Sequence, residues 1–455
     1  MVQFKISNTV DNSKVFLINF SDLKERYDPY FFKGEFHNLK KMLIKKGFVN
    51  IGQILKSWNR GDGPRDGYYT DDSENGVNFL RVNNLKNNSI DISDVKYIER
   101  KIHNTKLKRT QVTSGDLIFA ISGTKDNLGT VSIIPNEIKE ANLNSALVRL
   151  DIDKTKISNE FFCLLFELPF IRTQIEFTGK GAAQNNLNNN EIKSILIPNI
   201  SLSEQIKLVN LYHFAYQQKQ QKEARAKELL ASIDTYLLNE LGIALPEKDN
   251  SLQSRIFITN FSEVSGGRFD VFAILNKDFK IEGGIYPNKK LKLVANLVKG
   301  KSITSDKVID GEYPVIAGGQ SSPYNHNIYN QIGNVITVSA SGAYSGYVWY
   351  HTIPIFASDC TVIQSKNELD ISTIYLFEIL KTKQQEIYHL QQGAGQPHVY
   401  ARDLEKLNIP IPPPKKQIEI VNHIRDIRNQ AKQLHEDAKA VLEDVKKEVE
   451  EMILG

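Results

Sequence analysis

The chain repeats itself. Val15-Phe16-Leu17-Ile18-Asn19-Phe20-Ser21 returns as Ile256-Phe257-Ile258-Thr259-Asn260-Phe261-Ser262, and Arg26-Tyr27-Asp28 returns as Arg268-Phe269-Asp270. Gly181-Ala182-Ala183-Gln184 then matches Gly393-Ala394-Gly395-Gln396, Ile197-Pro198 matches Ile409-Pro410, and Gln205 matches Gln417. The copies are offset by 241 or 242 positions at the front, and by 212 from Gly181 onward. Each half therefore closes in a segment of fixed length, preceded by material whose length varies. The fixed part reads as scaffold and the variable part as the portion that adapts to different ligands.

The variable parts read as mixed α/β with many short strands. Gly115-Asp116-Leu117-Ile118-Phe119-Ala120-Ile121-Ser122-Gly123 is a buried strand running into a glycine turn, and 333–342 is its second copy. A further strand follows each, at 129–134 and 346–350. The fixed parts read as long helices, over about 203–241 and from Gln417 to Gly455. In the second, Ile424, Ile427, Ala431, Leu434, Ala438, Val441 and Val445 alternate steps of three and four, the rhythm of a coiled coil. In the first, Lys219 and Lys222 weaken the stripe before Leu229, Ile233, Leu237 and Leu241 restore it, and Gly242 supplies a stop. Such a helix spans roughly 60 Å. Two weak stripes in one chain are buried by pairing with each other, so the expected product is an intramolecular coiled coil carrying two globular heads.

A chain of 455 residues divides into two or more domains. Hydrophobic content of 41% and charged content of 24% fit a soluble globular protein, with no apolar run long enough to span a bilayer and no secretory signal at the start. Two distant cysteines, Cys163 and Cys360, argue against a disulfide scaffold or a cysteine zinc site and read as buried hydrophobes in a reducing cytoplasm. A net charge of +4 permits nucleic-acid binding where the positive charge is clustered.

The order of these motifs, repeated at matching positions, resembles the specificity subunit of type I restriction-modification enzymes from about Val15 to Leu454. The motifs are Arg-aromatic-Asp, Gly-x-x-Gln, Ile-Pro and a helix-opening Gln. The resemblance implies an α+β chain with two tandem target-recognition domains, at 1–200 and 243–412. Helical spacers at 201–242 and 413–455 would form an antiparallel coiled coil. It implies double-stranded DNA as ligand, read as two half-sites separated by unread bases. It further implies two methyltransferase subunits and motor-nuclease subunits as partners. S-adenosylmethionine, ATP and Mg are expected on those partners, and no cofactor on this chain. The first copy departs in Asp28-Pro29-Tyr30-Phe31, which becomes Asp270-Val271-Phe272-Ala273 in the second.

Phosphates call for Lys and Arg, and base edges for polar side chains on loops. In the first half Lys96, Arg100, Lys101, His103, Lys106, Lys108 and Arg109 form a basic stretch interrupted by Glu99, either a phosphate-tracking strip or a solvated face. Arg60 and Arg65 stand in a glycine-rich loop with Gly61, Gly63 and Gly67, where a guanidinium reaches guanine bidentately or merely faces water. The turn 122–127 offers Lys125 and Asn127. In the second half Lys301, Gln320, Ser321, Tyr324, His326, Ser341 and Tyr344 are the polar loop candidates, with Gln396 and His398 in the repeated junction. A lone histidine such as His326 is more often a surface or core residue than a reader of bases.

No catalytic motif is found. Asp28-Pro29-Tyr30-Phe31 is one proline short of an adenine methyltransferase motif, and Gly300-Lys301-Ser302 lacks the first P-loop glycine, since position 295 is Ala295. No His-Glu-x-x-His or Gly-x-Ser-x-Gly occurs. The rival readings are a coiled-coil adaptor with protein-binding heads and an atypical restriction enzyme subunit.

Overall fold

The computed structural model describes residues 15, 17, 34–63, 68–86, 89–178, 185–245, 279–393 and 395–455. Two compact units emerge: Met1–Lys222 together with Glu436–Gly455, and Glu223–His435. The front motifs of both copies (18–31 and 256–273), Gly179 to Gln184, Ala394, Arg65 and Gly67 lie outside the described residues.

In the first unit β1 (Leu55–Arg60), β2 (Leu117–Ala120), β3 (Val131–Ile133) and β4 (Leu147–Ile152) form an antiparallel sheet in the order β3-β2-β4-β1. All of Leu117-Ile118-Phe119-Ala120 is buried, as expected of an apolar run covered on both faces. Helix α1 (Asn159–Leu165) packs below it, capped by Ser158, whose side chain accepts from the Phe161 amide at 3.1 Å. Phe119, Phe161, Phe162 and Phe166 fill the core between them. A second, five-stranded sheet contains one parallel pair, Val77–Leu80 with Ala141–Leu143.

The second unit repeats the first sheet. Its strands β5 (Ala295–Lys299), β6 (Val335–Ser339), β7 (Val348–His351) and β8 (Cys360–Ser365) run in the order β5-β8-β6-β7, the same sequence of partners read from the other edge. Helix α3 (Thr373–Thr382), capped by Ser372, occupies the place of α1. The companion sheet has three strands, again with one parallel pair, Tyr313–Ile316 with Phe356–Ala357. Asn144 N donates to Leu80 O in the first unit and Ser358 N to Ile316 O in the second. Leu80 and Ile316 are 236 positions apart, whereas Asn144 and Ser358 are 214 apart. The changing offset is thus mostly extra chain within 81–143, which adds strand Gln111–Val112 and helix Arg100–Asn104 to the first unit.

The long helices form as expected: α2 (Leu202–Leu241) and α4 (Pro414–Leu454). Gly242 ends α2 at φ +66°, a conformation costly for any residue with a Cβ. Within the first unit Leu208, Tyr212 and Ala215 of α2 share a core with Val445 and Val449 of α4, and Lys222 Nζ lies 3.7 Å from Asp437. Within the second, the Tyr236 ring packs at a tilt on His423 at 4.1 Å, Glu240 pairs with Lys416, and Ile233 and Leu237 share a core with Ile420, Ile424 and Ile427. In both places the partner number falls as the α2 number rises, so the two helices pair antiparallel inside one chain. Ala226 and Ala431 in the second unit and Ala438 in the first are buried as well.

The repeated glutamines tie each helix to its head. Gln205 Oε1 accepts from Ser158 N at 3.0 Å, and its Nε2 donates to Lys156 O at 2.7 Å and Ile200 O at 3.1 Å. Gln417 repeats this with Ser372 N at 3.0 Å, Asp370 O at 2.8 Å and Pro412 O at 3.0 Å. Both side chains are buried and fully paired. Side-chain links differ between copies: Lys446 with Glu167 at 3.3 Å and Phe170 N on Glu450 at 3.0 Å in the first, Arg428 bidentate on Glu378 and Thr382 on Asp234 at 2.6 Å in the second.

Replacing Gln417 with Ala strands a buried amide and two carbonyls, at about 1–3 kcal/mol for each group left unsatisfied. Q417A is expected to speed hydrogen exchange at the Ser372 amide and lower the urea midpoint of the second unit while the Ser158 amide stays protected. Q205A gives the converse.

His351 supplies a pH-dependent test. Its ring is buried, Nε2 lies 2.8 Å from Thr337 Oγ1, and burial pushes its pKa down to about 4 from 6.5. Above pH 6.5 the ring is neutral whether folded or not. Below it the unfolded chain takes up the proton first, so stability drains away as pH falls toward about 4. The loss reaches about 3 kcal/mol at most. H351Q is expected to flatten this part of the pH profile of hydrogen-exchange protection in the second unit.

Candidate nucleic-acid interface

One backbone arrangement builds the loop cluster of both units. Where β1 ends, Gly61 N donates to Leu147 O at 2.9 Å and Asp62 N to Leu143 O at 3.0 Å. Where β5 ends, Gly300 N donates to Cys360 O and Lys301 N to Ala357 O, both at 2.9 Å. A Cβ on either glycine would lie 2.1 Å from a carbonyl oxygen, Asn144 O or Ser358 O. Only glycine permits this crossing. The turn after β2 pairs with the segment following the Gly-x-x-Gln motif, Ser122 with Asn186 and Gly123 with Asn185. In the second unit Ser341 bridges His398, and Gly342 N donates to Pro397 O at 3.0 Å. The strand-end turn and the segment that follows the repeated junction motif thus meet at one place in each unit.

In the first unit Arg60 is exposed at the strand end, its Nε donating to Ser145 O at 2.8 Å. The turn 124–128 is held from behind by Arg172, whose Nη1 donates to Leu128 O at 2.8 Å and Nη2 to Lys125 O at 3.2 Å. Lys125 is exposed but paired with Glu176 at 2.5 Å, and Asn127 is half-buried in the turn. The basic stretch divides in two. Arg100 pairs with Glu140 at 2.5 Å, and His103 is buried, its Nδ1 against Asn142 Oδ1, while Asn142 Nδ2 donates to Leu107 O at 2.8 Å and Thr110 Oγ1 at 2.9 Å. This network fixes the loop from inside. Lys101, Lys106, Lys108 and Arg109 face solvent, with Lys106 lying over the Tyr68 ring at 4.4 Å.

In the second unit Lys301, Gln320, Ser321, Tyr324 and Tyr344 are exposed, Tyr324 by 51% and Tyr344 by 48%. Ser322 Oγ ties its own loop to Val315 O and Tyr324 O, both at 2.9 Å. His326 is buried instead: its ring meets Phe356 edge-on at 5.0 Å and Nδ1 sits 3.1 Å from Ile309 N. It is a core residue that holds the loop, in line with the usual fate of a lone histidine. Ser341 is half-exposed and donates its hydroxyl to Asp359. Sequence reasoning passed over Asp359, Arg172 and Asn142, because each acts on a turn far away in the chain. It also missed Tyr400, which stacks on His398 at 6.0 Å under Arg402 at 4.9 Å.

Both cysteines are buried and free, and burial pushes the Cys360 thiol up to about 12. Among the described residues no group of three or more His, Cys, Asp or Glu is placed to hold a metal ion, and no helix is long and apolar enough to cross a membrane.

Residues 286–444 match the family model of the type I restriction modification DNA specificity domain. The type I restriction enzyme EcoBI specificity subunit of Escherichia coli is 25% identical over 170 residues, 36% of this chain and 35% of that relative. The MjaVIII specificity subunit of Methanocaldococcus jannaschii is 27% identical over 142 residues, 29% of this chain and 33% of that relative. The alignments therefore span about a third of the curated relatives. A chain solved in a study of complex assembly and conformational transition of the type I R-M system is alike in fold. Its TM-score is 0.55 at 16% identity, over 90% of this chain and 96% of that one.

Proposed function

We propose that the chain is the DNA-reading subunit of a type I restriction-modification complex, because residues 286–444 match the model of the type I restriction modification DNA specificity domain and the chain resembles specificity subunits. The observation that carries the reading is the repeated loop cluster. Two units share one sheet, one glycine crossing and one buried glutamine junction, and differ in the polar side chains at the strand ends. Each unit then reads one half-site, and the paired helices set the number of unread bases between them. The target-recognition parts are residues 1–200 and 243–412, and the helical spacers 201–242 and 413–455.

In this reading the chain binds and positions without catalysing. Two methyltransferase subunits bring S-adenosylmethionine, and motor-nuclease subunits bring ATP and Mg, all in the cytoplasm. DNA contact falls to Arg60, Arg65, Lys101, Lys106, Lys108, Arg109, Lys125 and Asn127 in the first unit and to Lys301, Gln320, Ser321, Tyr324, Ser341 and Tyr344 in the second. The exposed cations serve phosphates and the loop residues serve base edges. His326 supports the second loop from within.

Mapping methylated adenines across the genome, in cells with and without this chain, tests the function. A gapped, two-part motif that vanishes on deletion is expected; an unchanged pattern overturns the reading. A second test concerns the basic strip. Substituting Lys101, Lys108 and Arg109 by Ala is expected to weaken binding to all duplexes alike. The slope of log affinity against log salt should flatten by about one per residue replaced. The check is titration of the assembled complex at several salt concentrations.

A further inference from the structure

The two units place different chemistry at one equivalent point. Ile121 N donates to Ala146 O at 2.9 Å in the first unit, and Ala340 N to Asp359 O at 3.1 Å in the second. The glycine crossings next to them agree, Gly61 N on Leu147 O and Gly300 N on Cys360 O. Between Ser358 and Cys360 the second unit thus has Asp359 alone where the first unit has Ser145 and Ala146, and Ser341 stands where it has Ser122. The Ser341 hydroxyl donates to Asp359 Oδ2. Among the described residues Asp359 makes no ion pair, and its Oδ1 has no hydrogen-bond donor although it is not sealed from solvent.

Asp359 is half-exposed, and a Cβ on the nearby Gly342, at φ +87°, would meet nothing within 4 Å, whereas Gly318 packs so closely that a Cβ there would lie 2.5 Å from Ser341 O. Lys301 and Tyr344 are exposed on neighbouring loops. A carboxylate at a surface that meets phosphates is repelled unless it accepts a hydrogen bond from a base. In the major groove the base that offers a carboxylate an amino donor, without an acceptor beside it, is cytosine.

We propose that Asp359 is a specificity-determining residue of the second unit: with Oδ2 held by Ser341, its Oδ1 accepts from the N4 amino group of a cytosine in one half-site. The proposal rests on the DNA-reading function above. The first unit has Ser145 and Ala146 at this point and no carboxylate, so the cytosine belongs to one half-site alone.

The test is genome-wide mapping of methylated adenines with the full chain and its partner subunits, as wild type, D359N, D359A and S341A. Asn keeps an oxygen for the Ser341 hydroxyl and puts a donor where the free acceptor stood. D359N is expected to disfavour cytosine at one position by roughly tenfold, the usual scale for one mismatched pair. D359A relaxes that position, S341A keeps the cytosine, and the other half-site stays intact in all three. Should a variant abolish methylation, selection of bound duplexes from a pool randomised in the half-sites, at low salt where phosphate contacts hold the complex, reads the same position. Cytosine retained by both Asp359 variants, a wild-type half-site without an affected cytosine, or a change in both half-sites overturns the assignment. A wild-type chain that yields no gapped motif overturns the function itself instead.

Discussion

Each half of the molecule depends on one buried amide. Gln205 and Gln417 sit at the start of a long helix, yet their hydrogen bonds end on the head, at the amide of the residue that caps α1 or α3 and at carbonyls on both sides of the junction. The position requires an acceptor and a donor on one side chain of fixed length. Glutamate lacks the donor and methionine lacks both. A buried polar group left unpaired costs more than a paired one contributes, so the site tolerates little variation. This explains why the spacing is constant from Asn186 through Gln205 and from His398 through Gln417: that stretch is tied to the head at both ends.

The repeat, the β2 and β6 strands and both long helices were legible because their signals are local. An apolar run between glycines and a three-four alternation are read within a dozen residues. The pairing of α2 with α4 followed from the weakness of both stripes. The companion sheets were not legible, since several of their strands are two or three residues long and are defined by partners far along the chain, as with Ala141–Leu143 against Val77–Leu80. The same distance hid the pairing of Lys125 with Glu176 and of Ser341 with Asp359. Among the candidate loop residues, side-chain type alone could not separate Lys101, which faces water, from His103 two positions on, which is buried against Asn142. Burial alternates within one turn of helix, and only the packed neighbour decides which residue turns inward.

The loops can diverge because the strands cannot. Apolar faces of β2, β4, β6 and β8 are sealed in the cores, where a single methylene is felt. The strand ends carry no such burden. Extra chain in a surface connection costs little, since loop-closure entropy grows only with the logarithm of length. The first unit therefore holds a longer 81–143 segment than its counterpart without disturbing the order of the shared sheet. What must stay is the glycine at each crossing, where a carbonyl of the neighbouring strand end occupies the space of a side chain. Around that fixed crossing one unit presents Arg60 and Ala146, the other Lys301 and Asp359. A change of ligand therefore asks for new side chains on an old backbone, with the core and the helix junction left alone.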